Sequence, residues 1–599
     1  MNRLCILVLA IGCTCFSAEA QKARKDTLSQ RNVTLQKDEP NIKKSEKILF
    51  LPDLETQTLE KRPSFFSLSP NPASLPGIYL PLQAPDILTA YPAQDKIGYF
   101  RFGGGSKMAF TGDAQLNLIR LPKQTLDIRL IHRSIFGDIT NSLNQSYRSY
   151  MNRNRLMANY TFHLPGNELK VGLSQRYNAW NYYGTYKTTQ SPANANGLTT
   201  PSGQWLSDTQ FSFSIKSRKP GEALSYRLGV DGHLFRLGRG INSPTYTSGT
   251  TGGSEKELTL NGLVNYRLSD NLTLGAEGSL MKFSYGAPKT FAAEQTFYTD
   301  PVSTANYFAD QGWLQLHPHV RLNVKQWELT AGFRLAVPTL ETERVKWNPT
   351  VTGITSLSDK AAFRVSLDGG IQYYSYREGF DLNPYLDPFI HLRTANSPIR
   401  LSAGIDYRPL KALRISPVFE YDHTSNSPFF YNALTGTDVI NDAYGRIFSV
   451  KYMTSNRFTL GTDAYYNFRT KLRFFTQVRY NQYFNYSDDK AIDNLLAPNR
   501  KAWYRPGFQT RFRLDYSPVD KVSTYVDYQI SALRYAPTST DFMHKLNDIH
   551  DFNLGASWEM AKDVQLFIQL NNLFDQRYDN WNAYKVHGFS TVIGGYVRF

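Results

Sequence analysis

From about Lys96 onward the sequence alternates between two classes of side chain in runs of about ten to fifteen residues, the period of strands whose two faces meet different surroundings. In FQTRFRLDYS, Phe508, Thr510, Phe512, Leu514 and Tyr516 share one face, and Gln509, Arg511, Arg513, Asp515 and Ser517 share the other. After the turn PVDK, Val522, Thr524, Val526, Tyr528 and Ile530 oppose Ser523, Tyr525, Asp527, Gln529 and Ser531. LTLNGLVNYRL and WELTAGFRL divide in the same way. Strands of soluble sandwiches centre on ~5–6 residues, whereas these runs match strands that cross a bilayer at a tilt. After residue 20 there is no apolar stretch of the ~20 residues that a spanning helix needs. The apolar faces are therefore expected to meet lipid and the polar faces an enclosed lumen.

The connections support a closed wall. Ten short turns (RLPKQT, HLPGNE, SRKPGEA, LSDN, NVKQ, SLSDK, PLKA, FRTK, SPVDK and MAKDV) alternate with long Gly/Ser/Thr/Asn-rich or aromatic loops. Ten hairpins plus an opening and a closing strand make about 22 strands, an even number of the kind outer-membrane barrels have, with short turns on the periplasmic side. GRIFSVKYMTSN reads either as wall or as part of a loop hairpin. The fold class is thus an all-β transmembrane antiparallel barrel over residues 95–599. Tyr 38 and Phe 37 stand against Trp 8 at a mean hydropathy of −0.42, so ring enrichment is not general greasiness. It suits a wall with one apolar and one wet side.

The N-terminal region differs. Arg3, an apolar run from Leu4 to Cys15 and the ending Ala18-Glu19-Ala20 read as a signal peptide over residues 1–20; cleavage before a lipidated Cys13 is the alternative. Cys5, Cys13 and Cys15 all lie in this segment, so a mature chain cut at Ala20 has no thiol chemistry, disulfide or Cys-ligated metal. Residues 21–94 read as a disordered stretch followed by a Pro-rich extended segment, placed in the periplasm or the lumen. The net charge of +16 is assigned to anionic headgroups of outer-membrane lipid and lipopolysaccharide or to an anionic solute, not to nucleic acid.

The final strand VIGGYVRF places Ile593, Val597 and Phe599 on one face. The closing strand must pair with the first, because unpaired backbone in hydrocarbon costs several kcal/mol per group, on the order of a lost hydrogen bond or more. Val597 and the terminal Phe599 resemble the signal read by the barrel assembly machinery of outer membranes. The preceding hairpin, with Asn572, Leu573, Phe574, Asp575 and Tyr578, resembles the C-terminal end of TonB-dependent outer-membrane receptors. That resemblance implies a receptor barrel in the outer membrane of a Gram-negative bacterium. It also implies a globular plug inside the barrel and coupling to TonB. Here the chain departs: residues 21–94 are too short and too Pro-rich for the plug, which leaves TonB coupling open, and in the last hairpin His587-Gly588 stands where the family has Gly-Arg.

Among lumen-facing charges, Arg473, Arg479, Arg511 and Arg513 are expected to form a basic strip favouring anions, against the alternative that lumen charges neutralise one another as a wall network. Arg129, Arg133, Arg334, Asp406, Arg414, Glu420 and Glu277 belong to the same lumen set. Tyr480, Tyr528, Trp558 and Phe599 read as interface anchors. Tyr182, Tyr183, Phe429, Phe430 and Trp581, read as loop residues, either grip a sugar or a partner protein or pack loop on loop. RFGGGSKM is expected to bend the first hairpin through glycine at positive φ, and HPH at His317–His319 lacks the spacing of a zinc motif. No cofactor and no enzymatic activity are expected. The function that follows is a plugless channel or receptor for solute passage, with residues 49–94 filling the lumen or its periplasmic mouth. The alternative is a non-transporting scaffold for other envelope proteins.

Overall fold

The computed structural model describes residues 96–140, 146–184, 203–218, 222–239, 251–288, 308–339, 344–432, 447–468, 471–488, 490–496, 500–537 and 543–599. The signal peptide and the segment expected at 21–94 lie outside the described residues.

Antiparallel neighbours pair in chain order from Gly98–Gly105 to Ser590–Arg598, and these two strands pair with each other. Ala361–Asp368 and Gly370–Gln372 are halves of one wall strand, broken at Gly369, and both pair with Ala395–Leu410. Counted so, the ring has 22 strands. Every one of the ten short sequence turns joins two neighbouring strands. Of GRIFSVKYMTSN, the part from Ser449 enters the wall: Ser449–Phe468 is the longest strand among the described residues, with 20 residues.

The alternation sorts as the sequence reading expects. Leu173, Leu260 and Ile593 are 55%, 43% and 61% exposed on the outside, while the intervening Arg513, Asp527 and Glu255 are buried on the inside. An apolar belt encircling a protein is incompatible with water, where contiguous exposed patches rarely exceed a few hundred Å², and it is the surface that acyl chains require. Closure satisfies the backbone without an edge. The protein is therefore an outer-membrane barrel.

The seam shows how closure is achieved. Ile97 N–H donates to the Phe599 carbonyl at 2.7 Å and Phe599 N–H to the Gly98 carbonyl at 3.1 Å. Lys96 adds an ion pair to Asp563 in the last short turn. Higher up, Gly103 lies opposite Gly594, and Phe102 opposite Gly595. A Cβ on Gly594 would stand 2.1 Å from the Phe102 carbonyl oxygen and 2.5 Å from the Phe567 ring. The two glycines admit that ring over the seam, as aromatic side chains cover glycine in curved sheets, and Arg101 stacks on it in turn, 4.5 Å from the centroid. This corrects the reading of RFGGGSKM. Its glycines belong to the seam strand; the hairpin turn is made by Lys107 and Met108, which take φ of 56° and 46°, because close approach of two backbones needs the absent Cβ more than the turn does.

Candidate functional site

The mouth opposite the short turns is where the chain departs from a plain tube. Three connections spaced around the ring, those following Asn167–Asn181, Gly370–Gln372 and Val564–Asn571, converge. Tyr385 of the second stacks on Tyr584 of the third at 3.6 Å between centroids, and meets Tyr182 and Tyr183 of the first edge-on. Tyr183 Oη donates to the Lys585 carbonyl at 2.8 Å. Loops rooted so far apart on a ring can touch only near its axis.

The central piece is residues 373–394. Ser375 and Glu378 form a capping box: Glu378 N–H donates to Ser375 Oγ at 3.2 Å and Ser375 N–H to Glu378 Oε2 at 3.1 Å. This starts the short helix Tyr376–Leu382. The helix is too short to stand alone, so packing holds it. Tyr376 is fully buried, and its hydroxyl donates to the Pro388 carbonyl at 2.7 Å. Arg377 reaches Glu257 at 3.2 Å on the lumen face of Ser254–Ser269, and Asp381 pairs with Arg176 on Asn167–Asn181. Beyond the helix, Asp387 N–H donates to the Phe448 carbonyl and Phe448 N–H to the Tyr385 carbonyl, both at 2.9 Å. The segment thus crosses from its own strands to the far wall and is fixed there by charge pairs.

Around it lies an aromatic core that includes Tyr182, Phe235, Phe429, Phe430, Phe448, Trp503, Trp581 and Tyr584. Of the five aromatics singled out in the sequence, Tyr182, Phe429, Phe430 and Trp581 are packed within it and Tyr183 packs against it. Phe429 and Phe430 are not loop residues as expected but the upper end of the wall strand Leu413–Tyr431, paired with Lys451 and Val450, because the strand runs on past the membrane-spanning length, so the packing joins loops to the wall. Each such side chain contributes ~1.5–3 kcal/mol on burial. Arg505 is buried in the same core, donating to Ser427 Oγ at 2.9 Å and lying over Phe429.

Two titratable groups of this cap oppose each other. Burial against Tyr285 and Phe308 lowers the His391 pKa to about 3, whereas burial raises Glu378 to about 7. As pH falls below His391's ordinary 6.5, an opened cap takes up the proton and opening is favoured. As pH falls through about 7 toward 4.5, Glu378 takes up its proton first in the closed cap, so closure is favoured. His391→Phe should leave the carboxylate effect: the protection factor of Tyr376–Leu382, taken relative to the intrinsic amide exchange rate at each pH, should rise on going from about pH 8 to about pH 5. A protection factor that falls over that range would contradict the assignment.

Below the cap the lumen wall is lined with ion pairs. Arg129 pairs with Asp113 at 2.7 Å, Arg414 with Asp406 at 2.7 Å, Arg457 with Glu420 at 3.4 Å, His317 with Glu277 at 3.7 Å, and Arg334 with Asp368. The four arginines of the expected basic strip do lie on neighbouring strands facing inward, but three of them are matched by acids. Arg479 pairs with Asp463 at 2.9 Å, Arg511 with Asp527 at 2.6 Å, and Arg513 with Asp515 at 2.9 Å. Arg473, opposite Asp515 in register, is the exposed member.

The C-terminal motif builds a loop. Asn572, at φ 50°, accepts from Gln576 N–H at 3.1 Å and donates to its carbonyl at 2.8 Å. Asp575 accepts from Phe589 N–H at 2.7 Å, so both residues use the local bonding that suits Asn and Asp to turns. Leu573 N–H donates to the Phe552 carbonyl, Phe574 stacks on Phe552 outside, and Tyr578 is buried. Val597 and Phe599 face outward at the seam. Sequence reading missed the cap, although Ser375-Tyr-Arg-Glu378 carries the S-x-x-E signature of a helix start; nothing local tells which wall the helix reaches.

No family model matches the chain, and no curated protein matches its sequence. Solved structures do match its fold. The FrpB iron transporter from Neisseria meningitidis aligns with a TM-score of 0.62 at 10% identity, over 84% of this chain and 82% of that one. The siderophore receptor PirA from Acinetobacter baumannii gives 0.63 at 10%, over 85% and 81%. The copper transporter OprC gives 0.58 at 12%, over 84% and 80%. At such identities the likeness establishes a shared fold. The class this defines is the closed 22-stranded antiparallel barrel.

Proposed function

We propose that this protein passes solute across the outer membrane as a receptor-type barrel without an N-terminal plug, closed at its outer mouth by residues 373–394. The observation that carries this reading is the cap itself. A ring of 22 strands encloses a lumen wide enough that barrels of that size are kept plugged, and here the chain's own loops meet near the axis. The same fold belongs to proteins described as an iron transporter, a siderophore receptor and a copper transporter, which favours passage of a small solute. Energy coupling through TonB is not part of this reading.

In planar bilayers the purified protein should show low conductance, and deleting residues 49–94 should raise it if that segment adds a second seal. Equal, large conductance with and without the segment would refute both seals at once. The scaffold reading is favoured by one feature, the extensive side-chain packing between loops, which offers a stable outer surface. A stoichiometric envelope protein retained through gentle detergent extraction would support it; a monomer with solute-dependent uptake supports transport.

A further inference from the structure

The wall beneath the cap carries a second cluster of cations, away from the strip expected from the sequence. Arg133, on Gln124–Thr140, is directly opposite Arg153, on Ser146–Leu164, and Arg155 is directly opposite Arg176 on Asn167–Asn181. All four face the lumen, since their outward neighbours Leu130, Leu156 and Leu173 meet lipid. Like charges directly opposite in a sheet are destabilising, and at many other wall positions arginine is paired with a carboxylate, as Arg129 is with Asp113 and Arg457 with Glu420. Here the matching is incomplete. Arg176 reaches Asp208 at 3.2 Å through Nη2 and the cap's Asp381 through Nη1, yet its Nε is buried without a hydrogen bond. Arg155 Nε donates to the neutral Ser174 at 3.2 Å. Arg153 is acted on by two like charges, Arg133 and Arg176, by the Asp381 carboxylate and by the Tyr385 hydroxyl. The carboxylate that partly balances the cluster thus comes from the cap, next to the tyrosine on which the loops converge.

We propose that Arg133, Arg153, Arg155 and Arg176 form a binding site for a multivalent anion bearing phosphate or carboxylate groups, and that this anion competes with Asp381 for Arg176. Guanidinium forks bind such oxyanions bidentately, and a lumen site separates a soluble anion from lipid phosphate by the thickness of the wall. An incoming anion supplies the charge that Asp381 provides in the closed state, so binding and release of the cap are linked. The site deepens the transport reading, because it names the class of solute, and it rests on that reading for its physiological use.

The test is calorimetric titration of the full-length protein in neutral detergent with inorganic pyrophosphate. Wild type should bind, more weakly as salt rises. Arg153→Gln and Arg155→Gln should each weaken binding by about tenfold or more, equivalent to ~1.4 kcal/mol, and Arg153→Lys should weaken it less. Asp381→Asn should strengthen binding by removing the competitor, and Arg321→Gln, beside the short turn that follows Gln311–Val324, should leave it unchanged. Retained heat-modifiable mobility on gels shows that each variant is folded. Absence of binding, equal binding by Arg153→Gln, or weaker binding by Asp381→Asn would overturn the site. Binding without any solute conductance would leave the site standing and remove the transport reading; cap-dependent conductance without binding would remove the site alone.

Discussion

Replacing Tyr374–Arg393 with a short Gly/Ser linker is expected to raise single-channel conductance by about an order of magnitude, since what then remains is a ring of a size that encloses an open lumen. The substitution removes the Tyr385–Tyr584 stack, the Arg377–Glu257 and Arg176–Asp381 pairs and the bridge to Phe448, which are the contacts by which one loop spans the mouth. It leaves every wall strand intact, because Gly370–Gln372 and Ala395–Leu410 pair with each other independently of the loop. Planar-bilayer recording on chains with and without residues 49–94 separates the two sealing elements. If the linker variant conducts no better than wild type even when residues 49–94 are also deleted, the loop is not a seal.

The second large effect is expected at the seam. Gly594→Val should prevent assembly of the barrel: its Cβ falls 2.1 Å from a backbone oxygen of the partner strand and 2.5 Å from Phe567. Backbone cannot yield there without unpairing the first and last strands, and an open edge in hydrocarbon costs several kcal/mol per orphaned group, of order ~10 or more for a strand pair. Gly595→Ala is the matched control, since the nearest atom to its Cβ is 3.7 Å away. The measure is the fraction of unboiled protein that migrates as a folded barrel on gels. Normal folding of Gly594→Val would show that the seam tolerates separation, and would weaken the case that closure depends on this glycine pair.

The wall was legible because its determinants are local. Alternation at Phe508–Ser517 or Leu258–Arg267 reports two environments without reference to any distant residue, and each short turn marks its own hairpin. Strand count followed by arithmetic. The lumen charges were only half legible. Parity told that Arg479, Arg511 and Arg513 point inward, but not that Asp463, Asp515 and Asp527 sit where they neutralise them, because that depends on register and rotamer. The cluster at Arg133, Arg153, Arg155 and Arg176 is composed of residues with the same parity signal, and it stands out only once the strands are paired and like charges are seen to face each other.

By itself the amino-acid sequence determined a membrane-spanning barrel of alternating strands, its number of hairpins and the closing role of its last strand, since side-chain period and turn chemistry act over a few residues. Only the tertiary structure decided that the glycines of RFGGGSKM serve the seam, that Tyr182, Phe429, Phe430 and Trp581 pack into one aromatic core, and that residues 373–394 cross the outer mouth. Those outcomes are set by contacts between segments up to hundreds of residues apart, such as Arg176 with Asp381 or Tyr183 with Lys585, and closing the ring is what brings them within reach.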